Sequence, residues 1–234
     1  MAWARRVRRL HRLATLVVGA QILIWTGTGF AFSWFNFDRV RGAGDRSAPP
    51  LLHTAEARIT VDEAVVRAGA TSSVRGVELR PLLGRPVYAV SVDGKEPILV
   101  DAALGTIRAP LTADEASQVA REEGKDHPAV AEVALVQSER DAPDLPVPVY
   151  RVRLADAHAT EVFVAPSTGK ILAWRNQHWR WFDRLWSLHV LGWVSRDNPA
   201  HVGLRVLGGL ALLVALSGVA ILVTSLGRRR EVRT

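Results

Sequence analysis

His189 and His201 lie twelve residues apart on either side of a Ser195–Pro199 turn. Neutral imidazoles in such an arrangement can serve as the two axial ligands of one iron. The chain has no cysteine, which excludes disulfides, thiolate zinc sites, iron–sulfur clusters and covalently attached c-type haem. Haem held by two axial histidines without cysteine would be b-type. The competing account is structural: His189 packs on an amphipathic helix, and His201 hydrogen-bonds at the start of the helix that follows. On this account the chain needs no cofactor, and haem b on His189 and His201 is the alternative. Glu63 and Glu115 could be paired as acid and base, but each stands three residues after a threonine, where a helix-capping role explains it. No Ser/His/Asp order, metal-spaced His/Glu run or phosphate-binding loop stands out, so a non-enzymatic role is expected.

These histidines border a segment dense in aromatic rings. Between 174 and 193 lie Trp174, Trp179, Trp181, Phe182, Trp186 and Trp193. The spacing 179, 182, 186, 189/190, 193 is helical and gathers the rings on one face, with Arg175, Arg180, Asp183 and Arg184 elsewhere. A helix lying in the headgroup layer of a membrane fits this pattern, with Trp179, Trp181, Phe182, Trp186 and Trp193 as interface residues. A quinone or haem edge against the rings is the functional alternative.

Two apolar runs flank the interior. Residues 13–35 carry no charge, and at about 1.5 Å per residue a helix of that length crosses a hydrocarbon core of about 30 Å. Residues 201–226 carry only Arg205, placed near one end where its side chain can snorkel to the interface. The formal net charge is +7, and the basic excess is local. Arg5, Arg6, Arg8, Arg9 and Arg12 precede the first run; Arg228, Arg229, Arg230 and Arg233 follow the second. The stretch between the runs holds 22 acidic against 20 basic residues, so a nucleic-acid partner is not expected. Arginine on the same side of both runs places both termini in the cytoplasm, the middle outside it and the lipid bilayer as a partner. The first run is read as an uncleaved anchor, since no small-residue cleavage site follows before the Trp34–Phe37 cluster. By this scheme His11 sits a full membrane thickness away from His178, His189 and His201 and cannot share an iron with them. Thr26–Gly29 and Gly203, Gly208, Gly209, Ser217 and Gly218 supply small residues for helix packing.

Between the spans, residues 36–53 read as a Gly/Pro-rich linker and the remainder repeats itself. Ile59–Ala64 returns as Leu111–Ala116, Val87–Val90 as Val149–Val152, and Ile98–Val100 with Gly105-Thr106-Ile107 as Val162–Val164 with Gly169-Lys170-Ile171. The offset grows along the chain, consistent with an insertion that includes the Pro-rich Asp141–Pro148 stretch. Each copy opens on a Thr-x-x-Glu capping box and continues as alternating runs, with Asp93-Gly94 marking a hairpin. Each is thus a helix followed by an antiparallel meander, an α+β unit too small to bury much core alone, so the copies are expected to pack together. The expected organisation is a basic tail 1–12, span 13–35, linker 36–53, repeats 54–110 and 111–175, an interfacial helix and turn 176–198, span 201–226, and a basic tail 227–234.

The Thr-x-Asp-Glu-Ala helix start, the Val-Tyr-x-Val strand and the following Val-Asp-Ala-x-x-Gly-x-Ile hairpin resemble the PepSY domain, in both copies. Leu10-His11-Arg12, Trp181–His189 and Arg196–His201 are similar to the corresponding stretches of bacterial PepSY-associated transmembrane proteins. The second copy departs from the pattern by carrying Ala165-Pro166 where the first has Asp101-Ala102. The resemblance implies a tandem PepSY module on the outer face of a bacterial inner membrane, with a binding or regulatory role toward a protein partner, since such domains occur in peptidase propeptides. It also implies a rival. Larger PepSY-associated membrane proteins resemble iron–siderophore or flavin-linked reductases that hold haem on span histidines, and this chain would then be an accessory subunit of such a system.

Overall fold

The computed structural model describes residues 2–70, 74–191 and 202–231. The chain divides into two compact units, one formed by residues 1–35 with 181–234 and the other by residues 36–180.

The first unit is helical. Helix α1 (Ala2–Phe32) contains an apolar stretch, Thr15–Phe32, long and apolar enough to cross a membrane by length and composition. Among the described residues it is the one helix of that kind. Its buried positions Val18, Gln21 and Thr28 stand three and seven residues apart, spacings that return to one face of a helix.

The second unit begins at Asn36, whose carboxamide caps the short helix α2 (Phe37–Val40) by accepting from the Asp38 and Arg39 amides. Helix α3 (Val61–Arg67) follows, then the sheet β1 (Val74–Leu82), β2 (Arg85–Val92) and β3 (Ile98–Asp101). Helix α4 (Ala113–Glu123) precedes a second sheet of β4 (Val130–Val136), β5 (Val149–Leu154), β6 (Glu161–Val164) and β7 (Ile171–Arg175). Every pairing is antiparallel. Helix α5 (Gln177–His189) spans the boundary between the units, and α6 (Val202–Glu231) packs on α1 within the first.

Both expected capping boxes are formed. Thr60 accepts from the Glu63 amide while Glu63 accepts from the Thr60 amide, and Thr112 and Glu115 do the same. Thr112→Ala is expected to cost about 1 kcal/mol. For a chain of this size that is a fall in Tm of about 2–4 °C, measurable by thermal circular dichroism of the full chain in detergent. A melt identical to the wild type would show that the box contributes nothing.

The two sheets share their register. Val77 faces Val90, and Tyr88 faces Val100, in the first; Val133 faces Val152, and Tyr150 faces Val164, in the second. Each also slips register at the start of its first strand, between Val74 and Gly76 and between Val130 and Glu132. The turns after β3 and β6 close alike: the Asp101 amide bonds the Thr106 carbonyl as the Ala165 amide bonds the Lys170 carbonyl, both at 2.9 Å. In the first turn the Asp101 carboxylate also accepts from the Ala103 and Leu104 amides. In the second, Thr168 Oγ1 accepts from the Lys170 amide. After Gly105 there is a single bridge, Val100 to Ile107, whereas the counterpart after Gly169 extends into β7.

Alternation along β2 divides its residues between two cores. Tyr88, Val90 and Val92 share a core with Ala64 of α3 and Ala68 just beyond it. Val87 and Ala89 join Leu99 and Leu82 in a core built mainly by α4 and the second sheet, through Ala116, Val119, Ala120, Val152, Val162, Val164 and Trp174. The two halves thus pack together. Gly169, at φ +68°, sits at this seam, and a Cβ there would lie 2.7 Å from Leu82 Cδ1. The far face of the second sheet buries Val149 and Phe163 under Ala142, Leu145 and Val147 of the β4–β5 connection, the insertion expected around Asp141–Pro148.

Part of the stretch expected to be a linker is fastened to the second unit. The Ser47 amide donates to the Glu123 carbonyl at 2.9 Å, its hydroxyl donates to the Gly124 carbonyl at 3.0 Å, and the Lys125 amide donates to the Asp45 carbonyl at 2.9 Å. Gly42, at φ +72°, lies directly on the Trp174 indole, where any Cβ would overlap the ring, and Arg46 covers the same indole at 5.2 Å. Asn176, fully buried, donates to the Arg39 carbonyl at 2.8 Å and to Asp45 Oδ2 at 2.7 Å.

Candidate functional site

The predicted redox histidine His189 is the last residue of α5, within the first unit. Its Nδ1 lies 2.7 Å from Thr28 Oγ1, and Thr28 donates its own proton to the Ile24 carbonyl one turn back, at 2.6 Å. With that hydroxyl proton committed, the hydrogen between the two side chains is assigned to Nδ1, leaving Nε2 as the nitrogen with a free lone pair. The backbone is fixed as well, since Trp25 Nε1 donates to the His189 carbonyl at 2.8 Å. Phe32 packs edge-on against the imidazole at 5.5 Å and Trp186 stacks on it at 6.2 Å. An Nδ1–H held by an oxygen is the usual device for orienting a ligating imidazole through Nε2.

The aromatic face of α5 is real but divided. Phe182 stacks on Trp186 at 6.2 Å and packs on Phe32 at 5.2 Å and Phe35 at 5.8 Å, so 182, 186 and 189 form the packed side. Trp181 points away, 52% exposed, with the Arg184 guanidinium over its ring at 5.3 Å. Trp179 belongs to the second unit, where Arg175 lies between the Trp179 and Phe163 rings at 4.5 and 4.7 Å and donates to the Pro143 carbonyl. Arg205 is exposed in the first turns of α6. His201 and Trp193 lie outside the described residues, so the geometry of a His189–His201 pair is not defined. Among the described residues no group of three or more His, Asp and Glu is placed to hold a metal ion.

Thr28, expected only as a small packing residue, and Trp25 both hold His189. The available signal was Gln21, Trp25, Thr28 and Phe32, a four-three-four spacing that draws a polar and aromatic stripe along an otherwise apolar helix. Gln21 is 7% exposed and, among the described residues, its Nε2 has no hydrogen-bond partner.

In the second unit the notable electrostatics sit where the two halves meet. Burial raises the Glu123 carboxyl above its ordinary range, although Arg46 and Arg80 pull the other way. Burial likewise lowers Arg80, whose guanidinium bonds the Thr168 carbonyl. The raised Glu123 pKa means that the native chain holds this proton more tightly than the unfolded chain does. Glu123 is therefore harmless below the ordinary carboxylate pKa, and its penalty develops as pH rises through the raised value. The Tm of Glu123→Gln relative to wild type should accordingly increase between pH 4 and pH 7. Parallel profiles over that range would disprove the burial penalty. Glu78, lowered mainly by its hydrogen bond from Lys170, titrates in both proteins and cancels in the comparison.

The stretch from just before α4 to the end of β7 carries the family signal: residues 110–175 match the peptidase propeptide and YPEB domain, PepSY. Residues 110–175 are a PepSY domain. Its elements are the capping-boxed α4 and the four antiparallel strands β4–β7, with Trp174 and Arg175 at its end. The Leu111 amide bonds the Pro166 carbonyl at 2.8 Å, tying the start of the domain to the β6–β7 turn. No curated protein and no solved structure matches the chain. PepSY domains are typically non-catalytic, propeptide-like or inhibitory modules, and a regulatory or binding role follows for this one at that level.

Proposed function

We propose that the chain is a bacterial inner-membrane protein that carries a tandem PepSY module outside the cytoplasm as a non-enzymatic binding or regulatory domain for a protein partner, a peptidase being the class favoured. The observation that carries this is the PepSY domain at 110–175 downstream of an apolar N-terminal helix. The shared register and shared bulge of the two sheets support extending the PepSY reading to 54–110. A second span over 201–226 is supported by the apolar residues Val202–Leu216 of α6 and by the arginines beyond them. The test joins topology to binding. Alkaline phosphatase fused after residue 175 should be active and a fluorescent protein fused after Thr234 should fluoresce. The full chain in nanodiscs should slow hydrolysis by an extracytoplasmic metallopeptidase that co-purifies with it. An inactive phosphatase fusion would overturn the topology, and a peptidase unaffected by stoichiometric protein would overturn its assignment as partner.

The second reading is the accessory electron-transfer subunit, and the His189 geometry favours it specifically. Thr28 holds Nδ1, so Nε2 would serve as the haem ligand, with His201 the second candidate; bound haem would supply one-electron transfer. A visible spectrum of the purified chain, oxidised and dithionite-reduced, separates the readings. A Soret band with reduced α and β bands that vanish in His189→Ala, and shift in Thr28→Val, supports haem. A colourless, iron-free preparation from haem-replete cells eliminates it.

A further inference from the structure

We infer that His158 and His178 together bind one divalent transition-metal ion, Cu(II) foremost, with water completing its coordination. The inference goes beyond the binding and electron-transfer readings and depends on neither. The two histidines lie 20 residues apart in sequence, His158 in the β5–β6 turn and His178 in the first turn of α5. Folding brings their ring centroids to 5.6 Å at an interplanar angle of 50°, a tilt that is neither stacked nor edge-on. An ion about 2.0–2.1 Å from one nitrogen of each ring places the ring centres about 5–6 Å apart, over tetrahedral and wider bond angles. The observed pair therefore needs little more than side-chain rotation to share an ion.

The rings are unengaged while their backbones are fixed. Both are half-buried, and among the described residues no group hydrogen-bonds either ring. His189 and His127 differ in this respect, since each commits Nδ1 to an oxygen, that of Thr28 and that of the Arg121 carbonyl. Arg180 ties the turn to the helix by donating to the His158 carbonyl at 2.8 Å and to the Ala159 carbonyl at 3.0 Å. Within the turn Asp156 accepts from the Thr160 amide and hydroxyl, and at the helix start Asn176 Oδ1 accepts from the Trp179 amide. Two imidazoles on elements held in this way lose little conformational freedom on binding, which a site with only two protein ligands requires.

The chemistry selects the ion. Ring nitrogens suit copper, nickel and zinc, whereas calcium and magnesium take oxygen ligands. The chain has no cysteine and so offers no thiolate to a soft ion. The Arg180 guanidinium beside the pair opposes any ion held by electrostatics alone, so bonds to nitrogen must carry the affinity. Among divalent ions those bonds are strongest for Cu(II), with nickel and zinc weaker. A bound ion would fasten the β5–β6 turn to α5 as a second clasp beside Arg180.

The test uses the full chain in detergent micelles, stripped with EDTA and exchanged into metal-free buffer, with CuCl2 as the probe and empty micelles as the blank. Titration calorimetry should show one Cu(II) per chain with a Kd on the order of 10 μM. Pulsed electron paramagnetic resonance of that complex should show two coordinating imidazoles. His158→Gln and His178→Gln should each weaken the site at least about tenfold, and His53→Gln, at an exposed position, should leave it unchanged. A measurement on the wild type covers the case in which a glutamine variant unfolds. There CuCl2 should protect His158 and His178 together from diethyl pyrocarbonate, read by peptide mass spectrometry. No saturable binding up to about 1 mM CuCl2, a single coordinating imidazole, affinity indifferent to both glutamine substitutions, or protection confined to other histidines overturns the proposal. Binding lost in His189→Ala and kept in both glutamine variants overturns it in favour of a site at His189. Tighter binding of ZnCl2 or NiCl2 than of CuCl2 overturns the choice of copper.

Discussion

Phe163→Ala is expected to be the most damaging single substitution in the PepSY domain, at about 3–5 kcal/mol. Phe163 is 1% exposed in β6 and fills the far face of the second sheet with Val149, Ala142 and Val136. Its removal leaves a cavity that the insertion above it, hydrogen-bonded rather than free to collapse, fills only partly. The cost extends beyond packing. The Arg175 guanidinium rests on the Phe163 ring at 4.7 Å, and a buried cation loses one of its two aromatic faces when that ring is deleted. Thermal unfolding of the full chain should show Tm falling by on the order of 10 °C. Phe163→Leu, which keeps most of the volume, should lose less than half as much. Equal losses for the two variants would show that the ring face matters more than the filled volume.

Asn176→Ala is expected to cost about 3 kcal/mol, a large effect for one small polar side chain. Asn176 is fully buried, and its carboxamide does three things: Nδ2 donates to the Arg39 carbonyl and to Asp45 Oδ2, and Oδ1 accepts from the Trp179 amide at the start of α5. Alanine leaves these partners unpaired and removes a helix cap, each worth about 1 kcal/mol or more, with the bond to the carboxylate worth the most. The specific consequence is positional. The segment 39–46 should loosen from the end of β7 while the two sheets persist. Hydrogen exchange read by mass spectrometry should show faster exchange across residues 39–47 and the first turn of α5, with β2 and β5 protected as before. Asn176→Asp should restore the cap and fail to restore the bond to Asp45, because two carboxylates then face each other. Uniformly faster exchange throughout 36–180 would instead make Asn176 a general core residue rather than a clasp.

Much of the fold was legible because it rests on local rules. Thr60-x-x-Glu63 and Thr112-x-x-Glu115 announce helix starts through bonds that close within one turn, and both boxes form. The strand runs were visible because a half-buried strand must alternate. The two sheets carry the same residue types at matching pleat positions, Val87-Tyr88-x-Val90 and Val149-Tyr150-x-Val152, and their registers coincide. The family resemblance rested on the same residues and holds for 110–175.

Other features depend on residues far apart in sequence, and no local rule encodes them. The hairpin between β1 and β2 turns on Leu83-Gly84, with Leu83 at φ +51°, a conformation leucine tolerates here because its side chain packs against the shared core. The segment 36–53 looked like a linker from its glycines and prolines, yet Gly42 is there because only a residue without Cβ fits against Trp174. Asn176 and Arg175 read as polar residues beside an aromatic helix; burial against partners 30 to 140 residues away made them structural. His189 stood out by type alone, but its tautomer and orientation come from Thr28, on a helix 161 residues earlier. Composition and period therefore determined the elements, their order and the apolar helix. Tertiary structure decided which glycine, asparagine and histidine matter, because close approach, buried hydrogen bonds and proton placement exist only once distant segments meet.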